Sequence, residues 1–156
     1  MFGSRLDSFH KCRERVRDRM NTKSHTLLID TPPDTLDAVH NLLQAIWDNS
    51  PEVDIQDQMR FETALIELAS NIFRHANSGS GVSCSLSVHI SSDKIEANLR
   101  DTGQPGDIEI VNVEMPDVLE ESGRGLALIN ALVDEFTYER VDDHNVWHIV
   151  KRTSQS

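Results

Sequence analysis

Aromatic residues supply only 5% of this sequence, so the bulk of any core is expected to be aliphatic. Cysteine is scarcer still: Cys12 and Cys84 stand far apart in unlike contexts. A reduced, cytoplasmic protein fits that better than a disulfide-built scaffold. No apolar run approaches the roughly 20 residues of a membrane span, and the N-terminus lacks the apolar centre of a signal peptide. Positive charge is short as well. Fifteen Lys and Arg face 26 Asp and Glu, a net charge of −11, which argues against non-specific binding to nucleic acid. There are no repeats, no low-complexity linker and no G-x-x-x-x-G-K-[ST] phosphate loop.

What remains is one domain's worth of chain. Its 156 residues are 38% hydrophobic and 26% charged, an ordinary balance for a globular fold. The charge is unevenly spread. Residues 1–23 hold seven basic side chains against three acidic ones, a net +4 that leaves −15 for the rest. We therefore expect a basic helical arm over 1–24, a folded domain over 25–152 and a short tail over 153–156.

Within the domain, "HTLLID" at 25–30 is expected to be a strand, ended by Pro32 and Pro33, with Asp34 capping the helix that follows. Leu36, Val39, Leu42, Leu43 and Ile46 keep helical spacing. A second helix is expected over about 57–76, with Phe61, Leu65, Leu68, Ala69, Ile72 and Ala76 facing the core and "NSGSG" stopping it. "SCSLSVHI" and "IEANLRD" alternate as half-buried strands do, with a turn at Asp93 and Lys94. Residues 102–122 show no period. "GRGLALINALVDEF" reads as a glycine turn and a helix, and "FTYERV" and "VWHIVKR" as a closing hairpin. The order predicts an α/β (α+β) sandwich, a mixed, mostly antiparallel sheet with helices on one face.

Three short stretches carry chemistry. On the second helix Thr63, Glu67, Asn71 and Arg74 fall on one stripe opposite the apolar set, with His75 at its edge. Such a stripe is either a solvated face or part of a site. Ser70 and Asn71 are poor mid-helix residues, each costing about half a kcal/mol against Ala. The second stretch is "NLRDTGQPG", where a strand delivers Asp101 to a turn at Gly103. The third is "ESGRGLALI", where Gly123 and Gly125 flank Arg124 before a helix, an arrangement that favours phosphate. Singly, each has an ordinary explanation: a wet helix face, an Asp-Gly turn, a glycine turn.

Together, in this order and spacing, they resemble the N, G1 and G2 boxes of the GHKL (histidine-kinase-like) ATPase superfamily. The resemblance covers roughly residues 25–152. "ELASNIFRHA" and "GRGLALINALVDEF" are most similar to the bacterial anti-sigma factor serine-protein kinases. The resemblance implies a Bergerat-type ATP-binding fold with ATP and Mg²⁺ as cofactors. It implies that Asn71 holds the metal, that Asp101 accepts from the adenine amino group and that Gly103 lets the backbone approach the base. Gly123 and Gly125 would form the hinge of a lid and contact phosphates, with Arg124 as a charge partner. Glu67 would be the catalytic general base.

The expected lid, 104–122, is acidic (Asp107, Glu109, Glu114, Asp117, Glu120, Glu121), which fits phosphate contacts poorly. The residues ahead of the domain are too few for the paired phosphoacceptor helices of a histidine kinase. The expectation is an ATP-dependent serine/threonine kinase of a partner-switching pathway, an anti-sigma factor whose acceptor is a Ser or Thr on an antagonist protein. A sigma factor is the implied second partner and a homodimer the implied assembly, with no nucleic acid and no membrane involved. The other class left open is a non-catalytic ATP-binding module that sequesters a protein partner.

Overall fold

The structure, a computed structural model, describes residues 22–76, 81–105 and 121–154. Most of the expected arm over 1–24, the 77–80 stop, most of the expected lid and the last two residues lie outside them. The elements are β1 (Lys23–Thr31), α1 (Leu36–Asp48), α2 (Ile55–Ala76), β2 (Val82–Ile90), β3 (Lys94–Asp101), α3 (Glu121–Leu132), β4 (Glu135–Val141) and β5 (His144–Arg152).

The five strands form one sheet in the order β1-β2-β3-β5-β4. All four pairings are antiparallel, so among the described residues the sheet is not mixed. Strand alternation sorts the side chains. Leu27, Leu86, Leu99, Trp147 and Tyr138 share one cross-strand row, and Ile29, Cys84, Asp101 and Asn145 share the next one toward the sheet's end. Both rows belong to the inner face, which is largely buried, while Ser83, Asn98, Arg100, Thr137 and Glu139 on the outer face are exposed. The β4–β5 turn sets this register at one edge. Val141 pairs with His144, and the two residues between, Asp142 and Asp143, have φ of 48° and 62°. A two-residue hairpin turn with both φ positive matches strand twist, and Asp is among the few non-glycine residues that tolerate it.

The helices cover the inner face, with α2 packed between α1 and α3. The expected apolar sets are buried: Val39, Leu43 and Ile46 from α1, and Phe61, Leu65, Leu68, Ala69 and Ile72 from α2. The side chain of Ala76 lies outside the description. Trp47 meets Phe61 edge-on with centroids 6.2 Å apart. Phe61 is wholly buried, and truncating such a residue to Ala costs roughly 3–5 kcal/mol.

Two local expectations are corrected. The cap of α1 is Thr35, whose hydroxyl accepts from the Asp37 amide at 3.3 Å. Asp34 sits one residue too early and closes the turn after β1 instead, accepting from the Asp30 amide at 2.9 Å. The glycine turn before α3 is also absent. The helix begins at Glu121, so Gly123 and Gly125 lie inside it.

Candidate functional site

The stripe on α2 is not a wet face along its length. Thr63 and Arg74 are exposed and Glu67 is half-buried, but Asn71 is only 6% exposed. What covers it is α3. A Cβ built on Gly125 would stand 3.1 Å from Glu67 Oε2 and 3.3 Å from Asn71 Nδ2. A glycine inside a helix costs about 1 kcal/mol against alanine. Here it lets α3 approach two polar side chains that a Cβ would displace. Glu67, Asn71 and Gly125 thus form one polar cluster, the Glu67 carboxylate and the Asn71 amide both reaching the Cα of Gly125 where a Cβ would stand. Gly123 and Arg124 lie in the first turn of α3; the Arg124 side chain, like that of His75, lies outside the description.

A second cluster is built where β3 ends. Asp101 is 2% exposed, and its charge is met by three donors. Oδ1 accepts from the Gly103 amide at 2.8 Å and from Asn145 Nδ2 at 2.9 Å. Oδ2 accepts from Trp147 Nε1 at 2.7 Å. Paired, hydrogen-bonded carboxylates are the ones that tolerate burial. A carboxylate has about four lone-pair positions, so the described residues leave one acceptor position, on Oδ2. Gly103 is needed for close approach, because a Cβ there would lie 2.8 Å from Asp101 Oδ1.

Beside Asp101 in the register is Cys84 on β2. Burial, and then the neighbouring Asp101 charge, push its thiol up to about 12, so it stays neutral. On the other side are residues the sequence did not single out. Asn145 and Trp147 come from β5, Tyr138 and Arg140 from β4. Tyr138 O–H donates to Asn145 Oδ1 at 2.6 Å, and Arg140 Nη1 donates to both Asn145 Oδ1 at 3.0 Å and the Gly103 carbonyl at 2.8 Å. The available signal was the alternation of "NVWHIVK", which puts Asn145 and Trp147 on one face. Nothing local says that this face meets Asp101.

The structure therefore brings the expected residues into two groups, Glu67–Asn71–Gly125 between helices and Asp101–Gly103 at the sheet's end. A separate cleft of about 550 Å³ runs along the neighbouring flank of α2, lined by residues that include Thr31, Asp37, Ser70, Phe73 and Arg74. None of Glu67, Asn71 or Asp101 lines it. Among the described residues no helix is long and apolar enough to cross a membrane.

No curated protein sequence matches the chain. Solved structures do. The catalytic domain of the histidine kinase ThkA aligns with a TM-score of 0.52 at 11% identity, over 85% of this chain and 99% of that one. At such identity the likeness is one of fold. The Acinetobacter baumannii histidine kinase AdeS aligns with a TM-score of 0.46 at 18% identity, over 99% of this chain and 84% of that one. The sequence matches the histidine kinase-like ATPase domain over residues 30–151, a span that holds both clusters. The chain belongs to that family of kinase-like, ATP-binding domains.

Proposed function

We propose that this domain is an ATP-dependent protein-serine/threonine kinase of a partner-switching pathway, acting in the cytoplasm as an anti-sigma factor. Its acceptor is a Ser or Thr on an antagonist protein, and the implied assembly is a homodimer. The observation that carries the proposal is the convergence of Glu67 and Asn71 on Gly125, where α3 carries no side chain to fill the space. The likeness of "ELASNIFRHA" and "GRGLALINALVDEF" to the serine-kinase subfamily supports the finer assignment.

The residues fit a nucleotide with its metal. Adenine offers an amino N–H, and Asp101 has one acceptor position to receive it. A guanine O6, itself an acceptor, would meet a lone pair there. Asn71 supplies a neutral oxygen of the kind Mg²⁺ takes when most of its ligands are water and substrate phosphates. The metal's contribution when bound is to neutralise charge on those phosphates. Gly123, Gly125 and Arg124 are the residues of α3 assigned to the phosphate side. Glu67 accepts the proton of the acceptor hydroxyl as its oxygen bonds to the γ-phosphorus and the bond to ADP breaks. The proton ends on the Glu67 carboxylate and the phosphoryl group on the partner.

The test is transfer of labelled γ-phosphate from Mg-ATP to a partner captured from the native cell. Wild type is expected to label a small protein on Ser or Thr. Glu67→Ala is expected to keep nucleotide and partner binding and to lose transfer by about 10²–10⁴-fold. Asn71→Ala is expected to lose Mg-dependent binding and transfer together. Partner binding that depends on ATP, with no transfer by wild type, would reject the kinase and leave a binding module.

A further inference from the structure

We propose that Asn145 is a positioning residue of the base pocket, orienting Asp101 and fixing the backbone at Gln104 through a single amide. This rests on the assignment of Asp101 to the adenine amino group made above.

Asn145 is 4% exposed, and all of its side-chain capacity is used. Nδ2 donates to Asp101 Oδ1 and to the Gln104 carbonyl, each at 2.9 Å. Oδ1 accepts from Tyr138 O–H at 2.6 Å and from Arg140 Nη1 at 3.0 Å. An amide has two N–H donors and two acceptor lone pairs, so nothing is left over. Two consequences follow. The amide has one workable orientation, because a flip would set Nδ2 against the donor-only Arg140 guanidinium and Oδ1 against two acceptors. And Asn145 has no group free to read a base, so its effect on recognition must pass through Asp101.

That effect is specific. With Oδ1 held by Asn145 and by the Gly103 amide, and Oδ2 by Trp147, the carboxylate cannot rotate without breaking a bond to a buried partner. The open acceptor position on Oδ2 therefore has a fixed direction. The same amide grips the chain at Gln104, and Arg140 grips it at Gly103. The direction of the carboxylate and the path by which the chain leaves β3 are thus set together, by a side chain from β5.

The test compares Mg-ATP and Mg-GTP binding by calorimetry for wild type, Asp101→Asn, Asn145→Ala and Tyr138→Phe, with thermal unfolding run on each. Hydrogen bonds to charged groups contribute enough that Asn145→Ala is expected to weaken ATP binding by about 10-fold or more. GTP binding should change little, so the ATP/GTP ratio falls. Tyr138→Phe keeps the ring against Trp147 and removes only the O–H, and a smaller fall in the same ratio is expected. A residue that merely supported the fold would weaken both nucleotides in proportion, and that outcome would overturn the inference. So would an unchanged ratio in folded Asn145→Ala while Asp101→Asn loses ATP. If Asn145→Ala does not fold, Tyr138→Phe decides, an unchanged ratio again overturning the inference. If Asp101→Asn itself binds ATP as wild type does, the assignment of the base has failed and the role of Asn145 falls with it.

Discussion

Gly125 and Glu67 meet closely across the α2–α3 contact: a Cβ on Gly125 would sit 3.1 Å from Glu67 Oε2, so the carboxylate would have to give way by a few tenths of an ångström. Gly125→Ala therefore separates folding from function. Helix propensity gains about 1 kcal/mol from the change, offset by the shift forced on Glu67 and Asn71. The melting temperature is expected to stay within a few degrees of wild type, while Mg-ATP affinity drops clearly. Calorimetry alongside thermal unfolding checks this, and a variant that binds as wild type does would show that the close approach has no bearing on the nucleotide.

Asp101→Asn tests the base assignment. The amide keeps one oxygen but places an N–H where either the Asn145 amide or the Trp147 indole now donates. ATP affinity is expected to fall by about 10-fold or more, consistent with losing a charge-assisted hydrogen bond. Wild type should prefer ATP to GTP. Equal affinity for the two in wild type would remove adenine from Asp101.

Trp147 should report occupancy of the base pocket directly, because its indole N–H is bound to Asp101 Oδ2 at 2.7 Å. The chain has two tryptophans. Trp47 lies on α1, bonded to Glu62 Oε2 and edge-on to Phe61. In a Trp47→Phe background, Mg-ATP is expected to change the remaining emission saturably, with the midpoint seen by calorimetry. Emission indifferent to saturating nucleotide would detach Trp147 from the site.

At the far end of β5, Asp134 gives a pH signature. The Arg152 amide donates to Asp134 Oδ2 at 2.6 Å, and this bond chiefly, with Lys151 at 3.4 Å, holds its carboxyl below the ordinary 3.8 despite some burial. A lowered folded pKa means stability present above the unfolded value and lost as pH falls through the folded one. Acid denaturation below about pH 4 should thus contain a contribution from Asp134. Asp134→Asn is expected to flatten the stability–pH curve in that window and leave its shape near pH 7 unchanged. Chemical denaturation at a series of pH values measures it.

The helices were legible because each buries one stripe, and the apolar spacing of Leu65, Leu68, Ala69 and Ile72 states that stripe locally. The polar half of α2 was less legible: Ser70 and Asn71 oppose helix propensity, which by itself left a solvated face and a site as even alternatives. Asp101 and Gly103 stood out as a strand end and a turn. The start of α3 was misjudged because Gly123 and Gly125 look like a turn when their neighbours in space are unknown; Glu67 and Asn71 are what the absence of a Cβ at Gly125 accommodates. The cap of α1 slipped by one residue because Asp34 and Thr35 are both good caps, and the pairing of Asp34 with Asp30 decides between them. Asn145 and Trp147 were missed for a longer-range reason. Their partner is Asp101, and the insertion of β5 between β3 and β4 is a fact of topology that no local pattern carries.

That insertion has a consequence for the growing chain. Asp101 leaves the ribosome 44 residues ahead of Asn145 and 46 ahead of Trp147. Until β5 is made, the carboxylate has only its own local amide for company and must stay in water. Contacts so far apart in sequence are slow to form and come late in synthesis. A nascent chain stalled before His144 would hold Glu67 and Asn71 on a completed α2 yet lack Asn145 and Trp147, the side chains that hold Asp101. Nucleotide then becomes a ligand of the finished domain alone, and a stalled chain on the ribosome should not be retained by immobilised ATP.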